Sequence, residues 1–379
     1  MGNPLLDIQV RNGEKLLEKY NLKPNDAILA DEKQKEIYSE VLSLSPVYLA
    51  GGAAQNAARF AQYILPEKST VYLGAVGADK LADQLREANK KEGLNQLYQI
   101  ISDSPTGACA VVITGHNRSL CTQLGAAEKF SPSHLKEPEV TEAIKDAKVF
   151  YLGGFFLTHG IESALELAKA AAKDEKIFTM NLSAPFISQF FKENVDKVLP
   201  FVDYLFGNES EALAYAEAHS WDVRFLPSAQ SILFPAYEKK TKDGPNLIMV
   251  PIRQTKHLPT IAAKIASQPK QITSRSRIVI ITQGAESTIV ASTSTSAFPP
   301  SAKLDKVEDG HVLIVPVKPL KSEEIVDTNG AGDAFAGGVL GGIVLGKPLD
   351  ESIEIGHKLG QMCVGQEGPQ LKWPKVQIV

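Results

Sequence analysis

The chain has 379 residues and 44% of them are hydrophobic, which is enough to bury a large core. Its formal net charge is only −4, which argues against nucleic acid or an anionic membrane as a partner. No apolar run approaches the ~18 residues that a membrane helix needs. The three cysteines, Cys109, Cys121 and Cys363, are too few and too widely spaced for a disulfide framework or a zinc site. They predict free thiols in a cytosolic setting.

Short apolar runs alternate with helical patterns along most of the chain, which predicts an α/β protein. Because the apolar runs are continuous, the strands are expected to be buried on both faces of a mostly parallel sheet that is flanked by helices. The predicted strands lie at 71–74, 149–152, 177–180, 204–206 and 278–281, and the clearest helices lie at 161–174 and 209–218.

Two segments, 7–50 and 104–125, interrupt this alternation with patterns that are typical of β structure. The second predicts a hairpin that turns at 115–118. A small sheet that lies over a site is a candidate lid. We therefore predict a small β-rich lid domain from these two segments and a large α/β domain from 1–6, 51–103 and 126–379.

Residues 222–276 have a different composition, with six prolines and many basic residues. Only 260–266 look helical within them. We predict that this region contains a surface insertion, whose basic residues are more typical of a solvated loop than of a partner site.

The strongest chemical signal is the run DTNGAGD, from Asp327 to Asp333, which leads into a helix of small apolar residues. A glycine turn at a helix N-terminus directs several backbone N–H groups at one point and forms an anion site. A carboxylate would repel a resting phosphate there, so Asp333 is predicted to be a general base for a hydroxyl that attacks the phosphate. The alternative is an ordinary turn in which Asp333 only starts the helix.

A second signal is the pair Gly51-Gly52, followed by a helix of small residues that carries Asn56. Paired glycines allow the backbone to approach a ligand closely, and Asn56 could bind a hydroxyl group. Tight helix packing explains the same small residues. Asp7 could accept hydrogen bonds from a vicinal diol of a sugar, or it could be a turn aspartate.

Two further candidates have plain structural alternatives. Asn208 and Glu211 suit indirect handling of Mg²⁺, but they also have the spacing of a capping box. Arg118, in the predicted hairpin turn, could clamp transferring phosphates, or it could simply be exposed.

Together these residues resemble the pfkB, or ribokinase, family of carbohydrate kinases. The region of Gly51-Gly52 resembles the first signature of that family and 327–338 the second, and the likeness covers nearly the whole chain. Further stretches resemble the branch of the family that phosphorylates the nucleoside adenosine. These stretches are 3–7 (NPLLD), 115–120 (GHNRSL), 154–157 (GFFL), 181–186 (NLSAPF) and 327–335.

The resemblance implies a ribokinase-like fold, in which a doubly wound, mostly parallel sheet flanked by helices carries a small β-rich lid. It implies transfer of a phosphate from ATP to the 5′-hydroxyl of adenosine, with Mg²⁺, to give AMP and ADP in purine salvage. A monovalent cation is a further candidate cofactor. Adenosine and ATP are the implied partners, and the chain is expected to be a cytoplasmic monomer, with the nucleus as a second compartment.

The resemblance also implies a role for each matching residue. Asp333 matches the catalytic base, Arg118 matches a lid arginine near the phosphates, and the N–H groups of Gly330, Ala331 and Gly332 match an anion hole. The implied substrate contacts are Asn3, Asp7, Gly51, Gly52, Asn56 and Phe156. The implied nucleotide contacts are Asn208, Thr282, Gly284 and Asn329, and Glu211 is implied to reach the metal through water.

Two other readings stay open at this point. The chain could phosphorylate another nucleoside or a sugar such as ribose. It could also be a non-catalytic nucleotide-binding relative, although an intact Asp333 and glycine turn argue against that reading.

Overall fold

The computed structural model describes residues 1–23, 27–115, 117–221, 231–233, 249–251 and 257–379. The strands are β1 (Leu5–Arg11), β2 (Ala27–Leu29), β3 (Val47–Gly51), β4 (Val71–Gly77), β5 (Asn95–Ile101), β6 (Ala108–Thr114), β7 (Asn117–Gln123), β8 (Val149–Gly153), β9 (Ile177–Asn181), β10 (Tyr204–Asn208), β11 (Ser231–Leu233), β12 (Met249–Pro251), β13 (Ile278–Gln283), β14 (Glu286–Ser292), β15 (Asp305–Val307) and β16 (Gly310–Val315). The α-helices are α1 (Glu14–Lys19), α2 (Ile37–Leu42), α3 (Ala53–Ile64), α4 (Lys80–Lys91), α5 (Pro138–Asp146), α6 (Ile161–Lys173), α7 (Pro185–Phe190), α8 (Lys192–Val198), α9 (Glu209–Ala218), α10 (Leu258–Ala266), α11 (Ala331–Val344) and α12 (Leu349–Val364).

The chain divides into two compact units. The first contains residues 1–147 and 320–379, and the second contains residues 148–319. No helix among the described residues is both long and apolar enough to cross a membrane.

The first unit contains a five-stranded sheet in the order β2-β7-β6-β1-β3. Strand β1 pairs in parallel with β6 and antiparallel with β3, so the sheet is mixed. The predicted hairpin is confirmed, because β6 and β7 pair antiparallel. Its turn is shorter than predicted: β7 already begins at Asn117, and Arg118 lies within the strand, opposite Ile113.

The strands of this sheet come mainly from the two segments that were predicted to form a lid. Whether they act as a lid, and where a domain boundary falls, stay predictions. The predicted strand at 71–74 is confirmed as β4, which pairs with β5 in a separate two-stranded parallel sheet of the same unit.

Helix α11 has small residues because it packs against two other helices at very short range. A methyl group at Gly337 would lie 2.5 Å from the carbonyl oxygen of Ala57 on α3. A methyl group at Gly338 would lie 2.7 Å from the Cα atom of Gly356 on α12. The glycines therefore let the backbone of α11 approach both neighbours, which fixes the position of its N-terminus.

The second unit contains a seven-stranded sheet in the order β15-β16-β14-β13-β10-β9-β8. Strands β8, β9, β10 and β13 are parallel, and β14, β16 and β15 continue the sheet in antiparallel order. The four runs predicted at 149–152, 177–180, 204–206 and 278–281 form the parallel part. Eleven of their fifteen residues are buried and the other four are half-buried, as continuous apolar strands covered by helices should be.

Most of the insertion predicted within 222–276 lies outside the described residues. The structure gives two short strands there, β11 and β12, which pair antiparallel. It also gives α10, which confirms the helical prediction for 260–266.

Candidate active site

The N-terminus of α11 is built around a glycine that no other residue could replace without strain. Gly330 has φ +76°, in the left-handed region, and a methyl group on it would lie 2.6 Å from Cβ of Pro369. The first hydrogen bond of the helix follows directly: the N–H of Ala334 donates to the carbonyl oxygen of Gly330 at 2.9 Å. A methyl group at Gly332 would meet no atom within 4 Å among the described residues. This end of α11 therefore has open space beside N–H groups that cannot bond within the helix.

Asp333 is the third residue of α11 and is half-buried. Its Oδ2 accepts a hydrogen bond from Nδ2 of Asn56 at 3.0 Å. Burial raises the pKa of Asp333 to about 7; the Asn56 bond and Arg59 oppose the rise, and the negative charge of Asp7 adds to it. A carboxylate with a pKa near neutral pH is well suited to accept a proton.

Asn56, on α3, is held from its other side by a buried arginine. Nη1 of Arg59 donates to Oδ1 of Asn56 at 2.9 Å and to the carbonyl oxygen of Ala50 at 2.6 Å. The rest of the guanidinium pairs with Glu92, which follows α4. Arg59 is only 1% exposed, so this network is part of the core of the first unit.

Asp7 lies on β1, opposite Leu49 of β3 and Cys109 of β6, and is buried. Burial raises its pKa to about 6, although the charges of Arg118 and Arg59 oppose the rise. A methyl group at Gly51 would lie 2.1 Å from Oδ1 of Asp7, so only glycine leaves room for this carboxylate.

Gly52 and Asn3 lie next to each other in the same region. Gly52 has φ +88°, and a methyl group on it would lie 2.3 Å from the backbone oxygen of Asn3. The side chain of Asn3 is buried, and its Oδ1 has no hydrogen-bond partner among the residues that the structure describes. A buried amide oxygen in this state is a site that a hydroxyl or amine of a ligand could satisfy.

Arg118 is buried rather than exposed, and it contacts the DTNGAGD loop. Its Nη1 lies 3.0 Å from Oδ2 of Asp327. Asp327 also accepts the backbone N–H groups of Asn329, at 2.8 Å, and of Gly368, at 2.9 Å. The predicted phosphate clamp and the predicted anion loop are thus joined by an ion pair.

The remaining candidates lie in the second unit, at the carboxyl ends of its parallel strands. Asn208 ends β10 and is paired with Thr282 of β13. Oδ1 of Asn208 accepts the N–H of Glu211 at 2.9 Å, and Oε2 of Glu211 accepts the N–H of Asn208 at 3.1 Å. The structural alternative, a capping box, is therefore present. The carboxyl end of a parallel sheet is nevertheless where ligands bind in α/β folds.

Gly284 and Phe156 are also in the second unit. Gly284 has φ +59° in the turn between β13 and β14, and a methyl group there would meet no atom within 4 Å among the described residues. Phe156 is fully buried after β8, with its ring against His159. Its neighbour Phe155 is half-buried and packs against Phe186. The substrate role of Phe156 stays a prediction.

No group of three or more His, Cys, Asp or Glu side chains among the described residues could hold a metal ion. Mg²⁺ keeps most of its water and needs few protein carboxylates when it is bound to phosphates. A carboxylate such as that of Glu211, whose Oε2 accepts the N–H of Asn208, has the chemistry for such a contact, and its link to a metal through water stays a prediction.

Sequence reasoning overlooked two residues of the first unit. Arg59 is one, although an arginine three positions after Asn56 in a helix of small residues was a visible signal. The carboxylate of Asp327 is the other, since the motif was interpreted only through its glycines and Asp333. Their charged partners, Glu92 for Arg59 and Arg118 for Asp327, are distant in the sequence, so no local pattern assigns these two ion pairs.

Comparison with known proteins supplies an independent line of evidence. The family model described as pfkB family carbohydrate kinase matches residues 14–235 and 252–376. The adenosine kinase of Schizophyllum commune is 49% identical over 100% of this chain and 98% of its own length. The adenosine kinase of Schizosaccharomyces pombe is 44% identical over 99% of this chain and 96% of its own length.

Solved structures agree with these sequence relatives. Anopheles gambiae adenosine kinase, in complex with P1,P4-di(adenosine-5) tetraphosphate, has a TM-score of 0.77 and 39% identity, covering 96% of this chain and 94% of that chain. Schistosoma mansoni adenosine kinase, in complex with adenosine and AMP, has a TM-score of 0.77 and 31% identity, covering 98% of this chain and 96% of that chain.

Proposed function

The chain belongs to the pfkB family of carbohydrate kinases, and we propose that it transfers the γ-phosphate of ATP to the 5′-hydroxyl of adenosine, giving AMP and ADP. Relatives that share 44% and 49% identity with it over nearly their whole length are adenosine kinases. The single structural observation that supports the chemistry best is Asp333, a carboxylate with a pKa of about 7 at the N-terminus of a glycine-led helix.

In this proposal Asp333 accepts the proton of the 5′-hydroxyl as its oxygen attacks the γ-phosphorus. The bond from phosphorus to the bridging oxygen of ADP breaks in the same in-line transfer. The N–H groups of Gly330, Ala331 and Gly332, together with the dipole of α11, stabilise the negative charge that develops on the phosphoryl oxygens. The open space beside Gly332 supports this assignment.

Arg118 has two anionic partners in the proposed cycle. One is Asp327, with which it pairs in the structure. When phosphates are bound, its guanidinium turns to them, because a phosphate group carries more charge than one carboxylate and suits the same planar donors.

Adenosine is assigned to the first unit. Asp7 accepts hydrogen bonds from the ribose hydroxyls, and Gly51 gives its carboxylate the room that it needs. Asn3, with its unsatisfied buried oxygen, and the backbone of Gly52 complete that side. Asn56 is assigned a contact to the ribose in addition to the bond that it already makes to Asp333. The adenine contact implied for Phe156, which belongs to the second unit, stays a prediction.

ATP is assigned to the carboxyl edge of the seven-stranded sheet, with Asn208, Thr282 and Gly284 as contacts. The nucleotide contact implied for Asn329, in the first unit, stays a prediction. Mg²⁺ supplies charge neutralisation on the phosphates when it is bound with ATP, and Glu211 is the residue assigned to it, through water. The assigned setting is the cytoplasm.

The test is ADP release from Mg-ATP with adenosine, guanosine, inosine, ribose and fructose in parallel. We expect adenosine to give the highest kcat/KM by at least about tenfold, because a site that pairs with the polar groups of a base rejects analogues that leave those groups unpaired. Activity on a sugar alone would overturn the substrate and keep the phosphotransfer. A folded protein with no activity on any of the five would refute the proposal.

A further inference from the structure

We propose that Arg59 is a positioning residue for this reaction: it holds the carboxamide of Asn56 so that its NH₂ group, and not its carbonyl oxygen, faces Asp333. The inference rests on the proposed function in taking Asp333 as the base. It gives a role to a residue that lies behind the site and that no sequence motif assigned.

The hydrogen-bond donors around Asn56 fix the orientation of its amide. A guanidinium group can only donate hydrogen bonds, so the atom of Asn56 that faces Arg59 at 2.9 Å has to be the carbonyl oxygen. The amide is planar, and its NH₂ group therefore faces away from Arg59, where it donates to Oδ2 of Asp333 at 3.0 Å. A flipped amide would place an oxygen against a carboxylate and an NH₂ group against a guanidinium, which are two repulsive contacts.

Arg59 is itself fixed by partners on three elements. Nη1 donates to Ala50 on β3 as well as to Asn56 on α3, while Nε and Nη2 pair with Glu92 at the end of α4. Only the forked guanidinium can serve these partners at once. Because only 1% of the side chain is exposed, the guanidinium group cannot turn towards solvent. Asn56 is therefore locked before any ligand arrives.

The consequence concerns the protonation of the base. A donor that bonds to the carboxylate favours its ionised form, and the nearby positive charge of Arg59 acts in the same direction. Among the residues that the structure describes, the other ionisable groups that act on Asp333 are Asp7 from β1 and the thiol of Cys363 from α12, and both would disfavour the ionised form if they were charged. The Asn56 bond is thus the contact that keeps Asp333 available as a base near neutral pH.

The test compares Arg59→Lys and the double variant Arg59→Met/Glu92→Gln with the wild type, using the pH profile of kcat. Lysine keeps the charge beside Glu92, but one ammonium cannot occupy the positions of the whole fork. We expect the acidic limb of kcat to move to higher pH by about one unit in both variants, so that kcat falls about tenfold on that limb and recovers at higher pH. KM for adenosine should change less than kcat.

Glu92→Gln alone is the matched control. It removes the ion pair but keeps Arg59 and its bond to Asn56, so its acidic limb should stay in place or move to lower pH. A merely structural role for Arg59 predicts a different pattern, in which kcat falls equally at every pH and the limb does not move. That pattern, or a wild-type profile in folded Arg59→Lys, would overturn the proposal. If the double variant does not fold, Arg59→Lys decides alone.

A carboxyl-carbon NMR titration gives the same comparison without turnover. Asp333 is assigned from the signal that is lost in Asp333→Asn, and its pKa should be higher in Arg59→Lys than in the wild type. An unchanged pKa would overturn the proposal. An inactive wild type would refute the proposed function, while this titration would still decide the role of Arg59.

Discussion

Asp333 has to satisfy two opposing requirements. As a base it needs to be ionised, but burial makes the ionised form costly and raises its pKa to about 7. The structure balances these effects with one hydrogen bond, from Asn56, and one buried cation, Arg59. A group balanced in this way loses or gains a proton within the pH range in which an enzyme works, which is what general base catalysis requires.

The first prediction concerns the chemistry of this residue. In Asp333→Asn the amide cannot accept the proton, yet it can still accept the bond from Asn56. We expect kcat to fall by several orders of magnitude, because base and orienting group are lost together, while the Kd for adenosine changes little. Initial rates and calorimetric titration with adenosine measure the two quantities. Turnover near the wild-type rate would remove Asp333 from the mechanism.

The second prediction concerns stability and pH. The pKa of Asp333 rises from 3.8 in the unfolded chain to about 7 in the folded one, so between these values the folded state binds more protons and stability falls as pH rises. Asp333→Asn should therefore be more stable than the wild type at pH 8, by about 1–2 kcal/mol after allowance for the part of the side chain that stays in contact with solvent.

The control for this second prediction is the same comparison of Asp333→Asn with the wild type near pH 4. Near pH 4 the wild-type carboxyl is neutral, so the advantage of the variant should disappear. Urea unfolding at the two pH values measures the difference, and an equal advantage at both would mean that charge is not its cause.

At the scale of elements, helix α11 contributes both to the candidate site and to the packing of the core. Its N-terminus forms the candidate anion site, and its body packs against α3 and α12 through Gly337 and Gly338. Because Asn56 is on α3 and Asp333 is on α11, the close packing of these helices is also what brings the two side chains within hydrogen-bond distance.

The third prediction uses this packing. In Gly338→Ala the new methyl group would lie 2.7 Å from Cα and 2.9 Å from the backbone nitrogen of Gly356, and a helix backbone cannot easily move away. We expect a loss of about 1–3 kcal/mol in the free energy of unfolding, typical of an overpacked core. Thermal or urea unfolding measures it.

Gly332→Ala is the matched control on the same helix. Its methyl group meets nothing within 4 Å among the described residues, and alanine favours helices over glycine by roughly 1 kcal/mol. The free energy of unfolding should stay the same or rise slightly. In contrast, kcat/KM for ATP should fall by about tenfold, because the methyl group takes up space beside the N–H groups that are proposed to bind the phosphate; this fall is equivalent to about 1.4 kcal/mol of lost binding. If Gly338→Ala and Gly332→Ala lower the free energy of unfolding by the same amount, the body of α11 is not packed more tightly than its N-terminus.

At the scale of the whole molecule, the candidate residues fall into two groups that belong to different units. Asp7, Asn56, Arg118 and Asp333 come from the first unit, and Asn208, Glu211 and Thr282 from the second. In the proposed function the first group serves adenosine and the transfer, and the second serves ATP. The assigned contacts to the ribose and to ATP outside the transferred phosphate thus come from different groups of residues, and the two assignments can be tested separately.

The fourth prediction separates them by ligand-induced stabilisation. A ligand at about one hundred times its Kd stabilises the folded state by about 2.7 kcal/mol. Asp7→Asn should lose most of the rise in Tm that adenosine causes and keep the rise that ATP causes, and Thr282→Val should do the reverse. If either variant loses both effects, the two-ligand division is wrong.

The sequence by itself determined the parts of this protein that depend on neighbouring residues. The strands at 149–152, 177–180, 204–206 and 278–281 were predicted because buried parallel strands are continuously apolar, and the start of α9 was visible because the capping spacing of Asn208 and Glu211 is a local pattern. The glycine turn before α11 was predicted for the same reason, since a glycine, which adopts the left-handed conformation without strain, is visible in the sequence itself.

Only the tertiary structure decided which distant side chains meet. Asn56 and Asp333 are 277 positions apart in the sequence and form a hydrogen bond, and Arg118 reaches Asp327 from a strand that was expected to be a turn. The pairing of Arg59 with Glu92 depends on how α3 and α4 pack, which no local pattern encodes. The type of each residue determines whether its side chain can donate or accept a hydrogen bond. The packing of helices and sheets determines which of these side chains lie within about 3 Å of each other, and the chemistry of the site depends on that distance.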